Sequence, residues 1–241
     1  KEMLLNEKPD LIHIHGTEFP HTFLLTEVCK ELNIVDKVVI SIQGLVSIYS
    51  KHLIANLPSY VLKRKTLIDY KNKSGIKDLI KNFEKRGELE KKSIYNVNHV
   101  IGRTDWDKAQ AYNLNSNIKY YHSGEVLRNS FYNSRKWDYS NCEPYTIFLS
   151  QAGYPIKGLH QVIKAASILK KKFPKIKIKV AGKNIIDDSS FRNRISFNGY
   201  ASYIKKLLVK NDLESNIEFL GFLSEEKILE QYLKANVFVC P

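Results

Sequence analysis

Cysteine is scarce in this sequence, and its positions are scattered. The three cysteines, Cys29, Cys142 and Cys240, are odd in number, lie far apart and lack the spacing of metal ligands. This pattern argues against a disulfide framework and against a zinc site, and it is typical of proteins in a reducing compartment. We therefore expect buried thiols and a cytoplasmic location.

The sequence also lacks a signal peptide and any run of 18 apolar residues. We therefore predict neither secretion directed by the first residues nor a membrane-spanning helix. The first residue is Lys rather than Met, and the sequence stops on VFVCP, which has the composition of a strand. From these two features we expect a fragment that is cut at both ends.

Arginine is scarce among the basic residues, because 31 of the 38 are lysine and these are spread along the chain. Proteins that read specific bases rely on arginine. The net charge of +13 therefore does not indicate a dedicated nucleic-acid surface, and we predict no nucleic-acid partner. The charge would still favour acidic ligands or peripheral contact with an anionic membrane, at its inner face. A basic nucleic-acid-binding protein is the non-enzyme alternative.

Apolar strand patterns alternate with helical patterns along the whole sequence. The strand patterns are PDLIHIHG, KVVISIQG, NHVIGRT and NIKYYHSG in the first half, and YTIFLS, IKIKVAG, NIEFLG and NVFVC in the second. The longest helical pattern runs from Ile76 to Tyr95, and Thr104 with Asp107 three residues later predicts a capping box. Residues 46–75 are predicted to be irregular. Strands that alternate with helices in this way form parallel sheets.

The two halves share this architecture, so we predict two facing, doubly wound, Rossmann-like α/β domains. A chain of 241 residues has the length for two domains. The segment from Ser130 to Pro144 contains Asn, Ser and Asp and is the best candidate for a linker. We place an N-terminal domain at residues 1–132, with its first strand missing, a linker at 133–144 and a truncated C-terminal domain at 145–241.

Glycine recurs where the predicted strands end. These ends read HIHG, SIQG, VIGRT, LSQAG, VAGK and FLGF. In doubly wound sheets ligands bind at the carboxyl ends of the strands, and glycine lets the backbone approach a ligand closely. A glycine that only caps a turn explains any one of these ends, but six together indicate a shared cleft.

The segment SQAGYPIKGLHQVIKAA, residues 150–166, places Gly153, Lys157 and Gly158 before a helical pattern. The first turn of a helix has unpaired N–H groups and a positive dipole end, so a lysine beside it would complete a phosphate site. A tight turn with a solvated lysine explains the same residues. The segment is not a Walker loop, because it has no Gly-Lys-Ser/Thr.

Other polar residues form no recognisable metal or catalytic group. His13 and His15 alternate on a strand, but no Cys, Asp or Glu cluster completes a ligand set. We therefore predict no metal site and expect His13 to be packed and His15 to face the cleft. Asp187 and Asp188 are typical of a solvated loop. We expect Trp106 in the core.

Taken in order, several motifs resemble the retaining GT-B glycosyltransferases of family four. They are HIHG, SIQG, VIGRTDWD, HSGEVLRNSF, FLSQAGYPIKG, KVAGK and NIEFLGFLSEEKILEQYLKANVFVCP, and they span essentially the whole chain. The resemblance implies an enzyme that transfers a sugar from a nucleotide-sugar donor to a glycan or lipid-linked acceptor in surface polysaccharide synthesis. It implies no cofactor and no metal. It makes the first domain the acceptor side and the second domain the donor side.

Carried over position by position, the resemblance implies two sets of site residues. Lys157 matches the lysine that holds the donor diphosphate, and Gly158 opens the helix after it. The whole donor-binding set is Gln151, Gly153, Lys157, Gly158, Gly182, Gly221 and Phe222. The acceptor-side set is His15, Gly16, Gln43, Gly44 and Arg103. Gln43 and His15 are the cleft candidates for catalysis, although no catalytic residue is assigned.

The sequence departs from the family pattern in several places. The family usually has Arg at the position of Gln151, and glutamine brings hydrogen bonds but no charge, so diphosphate binding would be weaker unless another basic residue substitutes. The family usually has His at the position of Gln43, where an acid/base role is lost and a positioning role survives. The family's acidic donor motif and N-terminal glycine loop are absent. A nucleotide-sugar epimerase of the same fold, which needs no acceptor, is the enzyme alternative.

Overall fold

The computed structural model describes residues 1–187, residue 189 and residues 198–241. The strands are β1 (Ile12–His15), β2 (Val38–Ser41), β3 (His99–Gly102), β4 (Lys119–His122), β5 (Glu143–Leu149), β6 (Lys177–Ala181), β7 (Ile217–Gly221) and β8 (Ala235–Phe238). The helices are α1 (Glu2–Glu7), α2 (Pro20–Glu31), α3 (Val46–His52), α4 (Ser59–Lys63), α5 (Leu67–Asn72), α6 (Ile76–Tyr95), α7 (Asp105–Leu114), α8 (Asn129–Asn133), α9 (Leu159–Leu169), α10 (Gly199–Lys210) and α11 (Glu225–Lys234).

The chain divides into two compact units. The first unit comprises residues 1–52 and 79–126, and its four strands form a parallel sheet in the order β1-β2-β3-β4. Strand β2 is buried at every position, whereas β1 alternates between buried isoleucines and exposed histidines. The apolar core lies against the sheet, where Ile14 and Ile40 pack with Cys29 of α2 and Ile94 of α6. The exposed side chains of β1 are therefore polar.

The second unit comprises residues 53–78 and 127–241, and its parallel sheet has the order β7-β6-β5-β8. From β5 the sheet extends through β6 to β7 on one side, and β8 then pairs with the other side of β5. Such a reversal of strand order is the topological switch point at which doubly wound sheets bind ligands. The segment of residues 150–158 leaves β5 at this point.

The predicted α/β class with parallel, Rossmann-like sheets is confirmed, as are the helix from Ile76 to Tyr95 and the capping box of Thr104 and Asp107. The prediction that residues 46–75 are irregular is wrong, because α3, α4 and α5 lie there. These helices are too short to show apolar periodicity, and α5 depends on a capping box of its own. Across the described ranges, no helix has the length and apolar character needed to cross a bilayer.

The predicted domain boundaries differ from the two units. Residues 53–78 and 127–132 belong to the second unit, and β5 begins at Glu143, inside the predicted linker. A long-range contact explains why residues 53–78 belong to the second unit. His160 of α9 donates from Nε2 to the carbonyl oxygen of Ala55 at 2.7 Å. These two residues are 105 positions apart, so no local pattern reveals their contact.

Two expectations about individual side chains are wrong. Cys29 is buried as expected, but Cys142 is only half-buried and Cys240 is exposed. Trp106, expected in the core, is 41% exposed and stacks on the ring of Tyr49 with the centroids 6.2 Å apart. Trp106 lies in the first turn of α7, two residues after the cap residue Thr104, on the solvent side of the helix.

Candidate functional site

In the first unit, the carboxyl ends of the four strands line one pocket of about 180 Å³. Three residues of the predicted acceptor-side set lie in it: His15, Gln43 and Arg103. They meet because β1, β2 and β3 are neighbours, so that their carboxyl ends share one edge of the sheet. The pocket residues that the sequence analysis did not assign to the site are His13, Ser41, Ile42, Ile101, Gly102, Ser123, Gly124 and Glu125.

The two histidines of β1 lie side by side in this pocket. Their ring centroids are 4.0 Å apart, and His13 Nε2 lies 2.6 Å from Ser41 Oγ. Partial desolvation lowers the pKa of His13, and the neighbouring His15 lowers it further. The expectation that His13 is packed is wrong, because the alternation along β1 exposes both histidines on the same face.

Gly16 and Gly44 contribute through their backbones. Gly16 has a φ of +88°, in the left-handed region that favours glycine, and its N–H donates to the carbonyl oxygen of Ser41 at 2.9 Å. The carbonyl oxygen of Gly44 lies 2.9 Å from Thr17 Oγ1. Neither glycine is among the described residues that line the pocket, although each is next in sequence to one that does, His15 and Gln43.

Both arms of the Arg103 guanidinium are bound within the unit. Nη2 donates to the main-chain oxygen of Gln43 at 2.7 Å, and Nη1 pairs with Glu125 Oε1 at 2.6 Å. The arginine therefore holds the backbone of Gln43, and the carboxylate of Glu125 offsets its charge. The predicted contact of Arg103 with an acceptor stays a prediction. Glu125 carries no recognisable signal in the sequence, because only the fold brings it to Arg103.

The Gln43 side chain is exposed in this pocket while its main chain is held by Arg103. In the complete enzyme, Gln43→Ala removes the amide and leaves the main-chain bond in place. We expect lower turnover of a nucleotide-sugar donor with nearly unchanged binding of the free nucleoside diphosphate. Steady-state kinetics and calorimetric titration of the same preparation measure the two effects. Equal loss of both would indicate that Gln43 supports folding rather than the site.

In the second unit, the loop after β5 has the shape that the sequence predicted. Gln151 and Gly153 are exposed, Pro155–Lys157 form a single 3₁₀ turn, and Gly158 caps α9 with a φ of +67°. A β-carbon on Gly158 would lie 2.7 Å from the ring of Pro241, so the position requires glycine for space as well as for conformation. Gly158 thus lies beside the chain that follows β8, at the switch point.

Gly182 and Gly221 lie together at the ends of β6 and β7. The N–H of Gly182 donates to the carbonyl oxygen of Gly221 at 2.8 Å, and their φ angles are +96° and +72°. A β-carbon on either would meet no described atom within 4 Å. Both glycines therefore have their backbones next to open space, where a ligand can approach.

This open space is part of a cleft of about 370 Å³. It is lined by three residues of the predicted donor set, Gly153, Gly221 and Phe222, and by Lys183, Asn184, Ile185, Asp187, Asn198 and Ala201, which the sequence analysis did not assign to the site. The sequence could have indicated Asn198 as a helix cap, because asparagine is common at that position. Its side chain caps α10 by accepting from the N–H of Ala201 at 2.8 Å. Phe222 is 88% exposed, so its ring is free to contact a ligand.

The other four residues of the predicted donor set are not among the described residues that line the cleft. Gln151, Lys157 and Gly158 belong to the loop after β5, and Gly182 follows β6 and donates its N–H to the carbonyl oxygen of Gly221. The structure therefore divides the donor set into a cleft group and a loop group. Lys157 Nζ lies 5.7 Å from the centroid of the Tyr154 ring.

No group of three or more His, Cys, Asp and Glu side chains within the described ranges could hold a metal ion. Of the predicted solvated acidic pair, Asp187 lines the cleft described above and Asp188 lies outside the described residues. The described sites offer hydrogen bonding by amides, imidazoles, hydroxyls and backbone groups, together with the charges of Lys183, Arg103, Glu125 and Asp187.

Comparison with known proteins gives one family match and several structural matches. Residues 132–241 match the family described as Glycosyl transferases group 1. No curated protein matches the chain. Among solved structures, the sucrose-phosphate synthase of Thermosynechococcus elongatus matches with a TM-score of 0.60 at 15% sequence identity, over 100% of this chain and 52% of its own. The chain thus has the fold of this protein and spans about half of its length.

Two other solved structures match with lower scores. The pneumococcal O-GlcNAc transferase GtfA, in complex with UDP and GlcNAc, has a TM-score of 0.43 at 11% identity over 89% of this chain and 39% of its own. UGT71G1 of Medicago truncatula, complexed with UDP-glucose, has a TM-score of 0.45 at 12% identity over 99% of this chain and 54% of its own. As the motifs of the sequence predicted, residues 132–241 match the model of the glycosyl transferases group 1 family.

Proposed function

We propose that the protein is a retaining glycosyltransferase that moves a sugar from a nucleotide-sugar donor to a glycan or lipid-linked acceptor in surface polysaccharide synthesis. The family match of residues 132–241 is the observation that carries the proposal. It coincides with the part of the chain that contains the switch point, the glycine loop and the larger cleft. Doubly wound sheets bind nucleotides at such a point.

The donor would be bound by both groups of the second unit. The cleft of about 370 Å³ has the size for a nucleoside, with amides and an exposed aromatic ring at its walls. The loop before α9 would hold the diphosphate, because the first N–H groups of a helix have no helical partner and Lys157 adds a positive charge beside them. Gln151 and Gly158 would complete this loop.

The acceptor would be bound by the pocket of the first unit. His15 and Gln43 offer hydrogen bonds to sugar hydroxyls, and the lowered pKa of His13 favours a neutral imidazole at pH 7. A lipid-linked acceptor is consistent with peripheral contact at the inner face of an anionic membrane. The exposed rings of Tyr60 and Tyr70, among the lysines of α4 and α5, support this location.

Transfer is expected to proceed without a divalent cation. The α9 dipole and Lys157 would stabilise the charge that develops on the leaving diphosphate. In metal-dependent enzymes a bound cation stabilises this charge. Turnover measured after dialysis against EDTA should therefore equal turnover in magnesium-containing buffer. A large loss in EDTA that added magnesium restores would show that the donor site depends on a metal.

The proposed function is tested by titrating the protein with a panel of nucleotide sugars, nucleoside diphosphates and nucleosides. A stabilising shift in melting temperature with one nucleoside diphosphate and its sugar conjugates is expected, followed by release of that diphosphate when an acceptor glycan is added. Absence of binding across the panel would contradict the proposal. A changed sugar that stays attached to its nucleotide would indicate an epimerase instead.

A further inference from the structure

Glu90 of α6 is a fully buried carboxylate in the first unit. Its Oε1 accepts from Thr17 Oγ1 at 2.7 Å and from the N–H of Val46 at 3.2 Å, and its Oε2 accepts from the N–H of Ser47 at 2.7 Å. Thr17 follows β1, and Val46 and Ser47 open α3 after β2. One side chain therefore connects the loops that leave two neighbouring strands.

Helix α6 approaches the same place at Gly87, one turn before Glu90. A β-carbon on Gly87 would lie 2.7 Å from Ser47 Cα and 3.1 Å from Ser47 N. Glycine inside a helix costs about 1 kcal/mol relative to alanine, and here it allows the helix to contact the backbone of the loop. Gly87 and Glu90 are three residues apart, so they lie on one face of α6, the face that contacts these loops.

The contacts of Glu90 belong to a larger set that holds the main chain around Gln43. Thr17 Oγ1, bonded to Glu90, also lies 2.9 Å from the carbonyl oxygen of Gly44, and Arg103 binds the carbonyl oxygen of Gln43. Residues 43–47 are thus held by side chains that come from three different parts of the unit. These contacts fix main-chain atoms and leave the Gln43 side chain exposed in the pocket.

A buried carboxylate is costly unless hydrogen-bond donors satisfy it. All three hydrogen bonds that Glu90 accepts come from these loops. An apolar side chain would fill the same volume without the cost of desolvation but would leave the three donors unpaired. Glu90 is therefore explained by the hydrogen bonds that it accepts from the loops and not by the volume that it fills in the core.

We propose that Glu90 is a positioning residue for the acceptor-side pocket. It holds the loops after β1 and β2 and thereby fixes the positions of His15 and Gln43 in the pocket. The inference rests on the proposed function, in which these two residues contact the acceptor, and Glu90 acts through them.

The test compares Glu90→Gln with Glu88→Gln in the full chain. Glutamine has the size of glutamate, but its NH₂ group faces N–H or O–H donors of the loops instead of accepting from them. Glu88 lies on the same helix, is 66% exposed and pairs with Lys91, so the control removes the same charge without touching the loops. Hydrogen exchange of amides 43–47 should become about tenfold faster in Glu90→Gln, equivalent to about 1.4 kcal/mol, and stay at the wild-type rate in Glu88→Gln.

Turnover is then measured with the donor found in the nucleotide-sugar panel. For Glu90→Gln, kcat should fall about tenfold or more, while the stoichiometry and Kd of nucleoside diphosphate binding stay at wild-type values. General loss of folded protein would lower kcat and the number of binding sites together. Unchanged exchange at residues 43–47, or normal kcat in spite of faster exchange, would overturn the inference. A complete wild-type enzyme that turns over no donor would count against the proposed function, and exchange alone would then decide whether Glu90 holds the loops.

Discussion

Lys157→Ala in the complete enzyme is expected to weaken nucleoside diphosphate binding by about 10-fold to 150-fold. A charge-assisted hydrogen bond contributes roughly 1.5 to 3 kcal/mol, which corresponds to that range of affinity. Lys157 ends the 3₁₀ turn directly before the cap of α9, and Gln151 brings no charge that would compensate for its loss. The uncharged nucleoside should bind almost as it does to the wild type, because it lacks the phosphates that Lys157 would hold.

Calorimetric titration with the diphosphate and the nucleoside measures both quantities. Lys171→Ala is the matched control, because it removes the same charge from an exposed position after the end of α9. The melting temperature without ligand should change little, since the exposed cation–π contact of Lys157 with Tyr154 contributes only about 0.5 to 1 kcal/mol. Wild-type affinity for the diphosphate would mean that Lys157 is a solvated turn residue and that the proposed donor site is wrong.

His160→Ala is expected to lower the free energy of unfolding of the second unit by about 2 to 4 kcal/mol. His160 is fully buried, donates from Nε2 to the carbonyl oxygen of Ala55 at 2.7 Å and lies with Nδ1 3.2 Å from the hydroxyl of Tyr200. Alanine would leave the buried hydroxyl of Tyr200 without this partner, at about 1 to 3 kcal/mol, would remove one hydrogen bond from the half-buried carbonyl oxygen of Ala55, and would open a cavity. Denaturant unfolding measures the loss.

Gln161→Ala is the control for this substitution. Gln161 also reaches the carbonyl oxygen of Ala55, but at 3.3 Å and from a half-buried position. Its removal should therefore cost well under half as much as removal of His160. Similar losses for the two variants would show that the imidazole has no special role in holding residues 53–57 in the second unit.

The same histidine makes stability depend on pH. Burial lowers the pKa of His160, whereas an unfolded histidine titrates near 6.5. As the pH falls below about 6.5, the unfolded chain therefore takes up a proton before the folded chain does. The stability from a neutral His160 is complete above that pH and is lost on acidification towards the folded pKa, by at most about 1.4 kcal/mol per pH unit.

Unfolding experiments at pH 7.5 and pH 5.5 measure this dependence, and His160→Gln should reduce it. His13 in the first unit also has a lowered pKa and acts in the same direction, so part of the dependence should survive. Carboxylates whose pKa is lowered, such as Glu31 and Asp138, act only near pH 4 and below. An identical pH dependence in wild type and His160→Gln would contradict the assignment.

Features that depend on neighbours in the sequence could be predicted from the sequence alone. Apolar runs separated by turn residues predicted the eight strands, and the three-residue spacing of Thr104 and Asp107 predicted a helix start. The glycine loop before α9 could be predicted as well, because a left-handed residue at a helix cap favours glycine. The physical reason is that backbone conformation and capping are decided by a few adjacent residues.

The tertiary structure alone decided which of these elements meet and what lies between them. The bonds from Glu90 to Ser47 and from His160 to Ala55 join residues 43 and 105 positions apart. Lys183 and Asn198 enter the cleft only because the order β7-β6-β5-β8 brings the ends of separate strands and helices to one edge. Such contacts depend on how whole elements pack, and the burial of a single polar side chain leaves no periodic trace in the sequence.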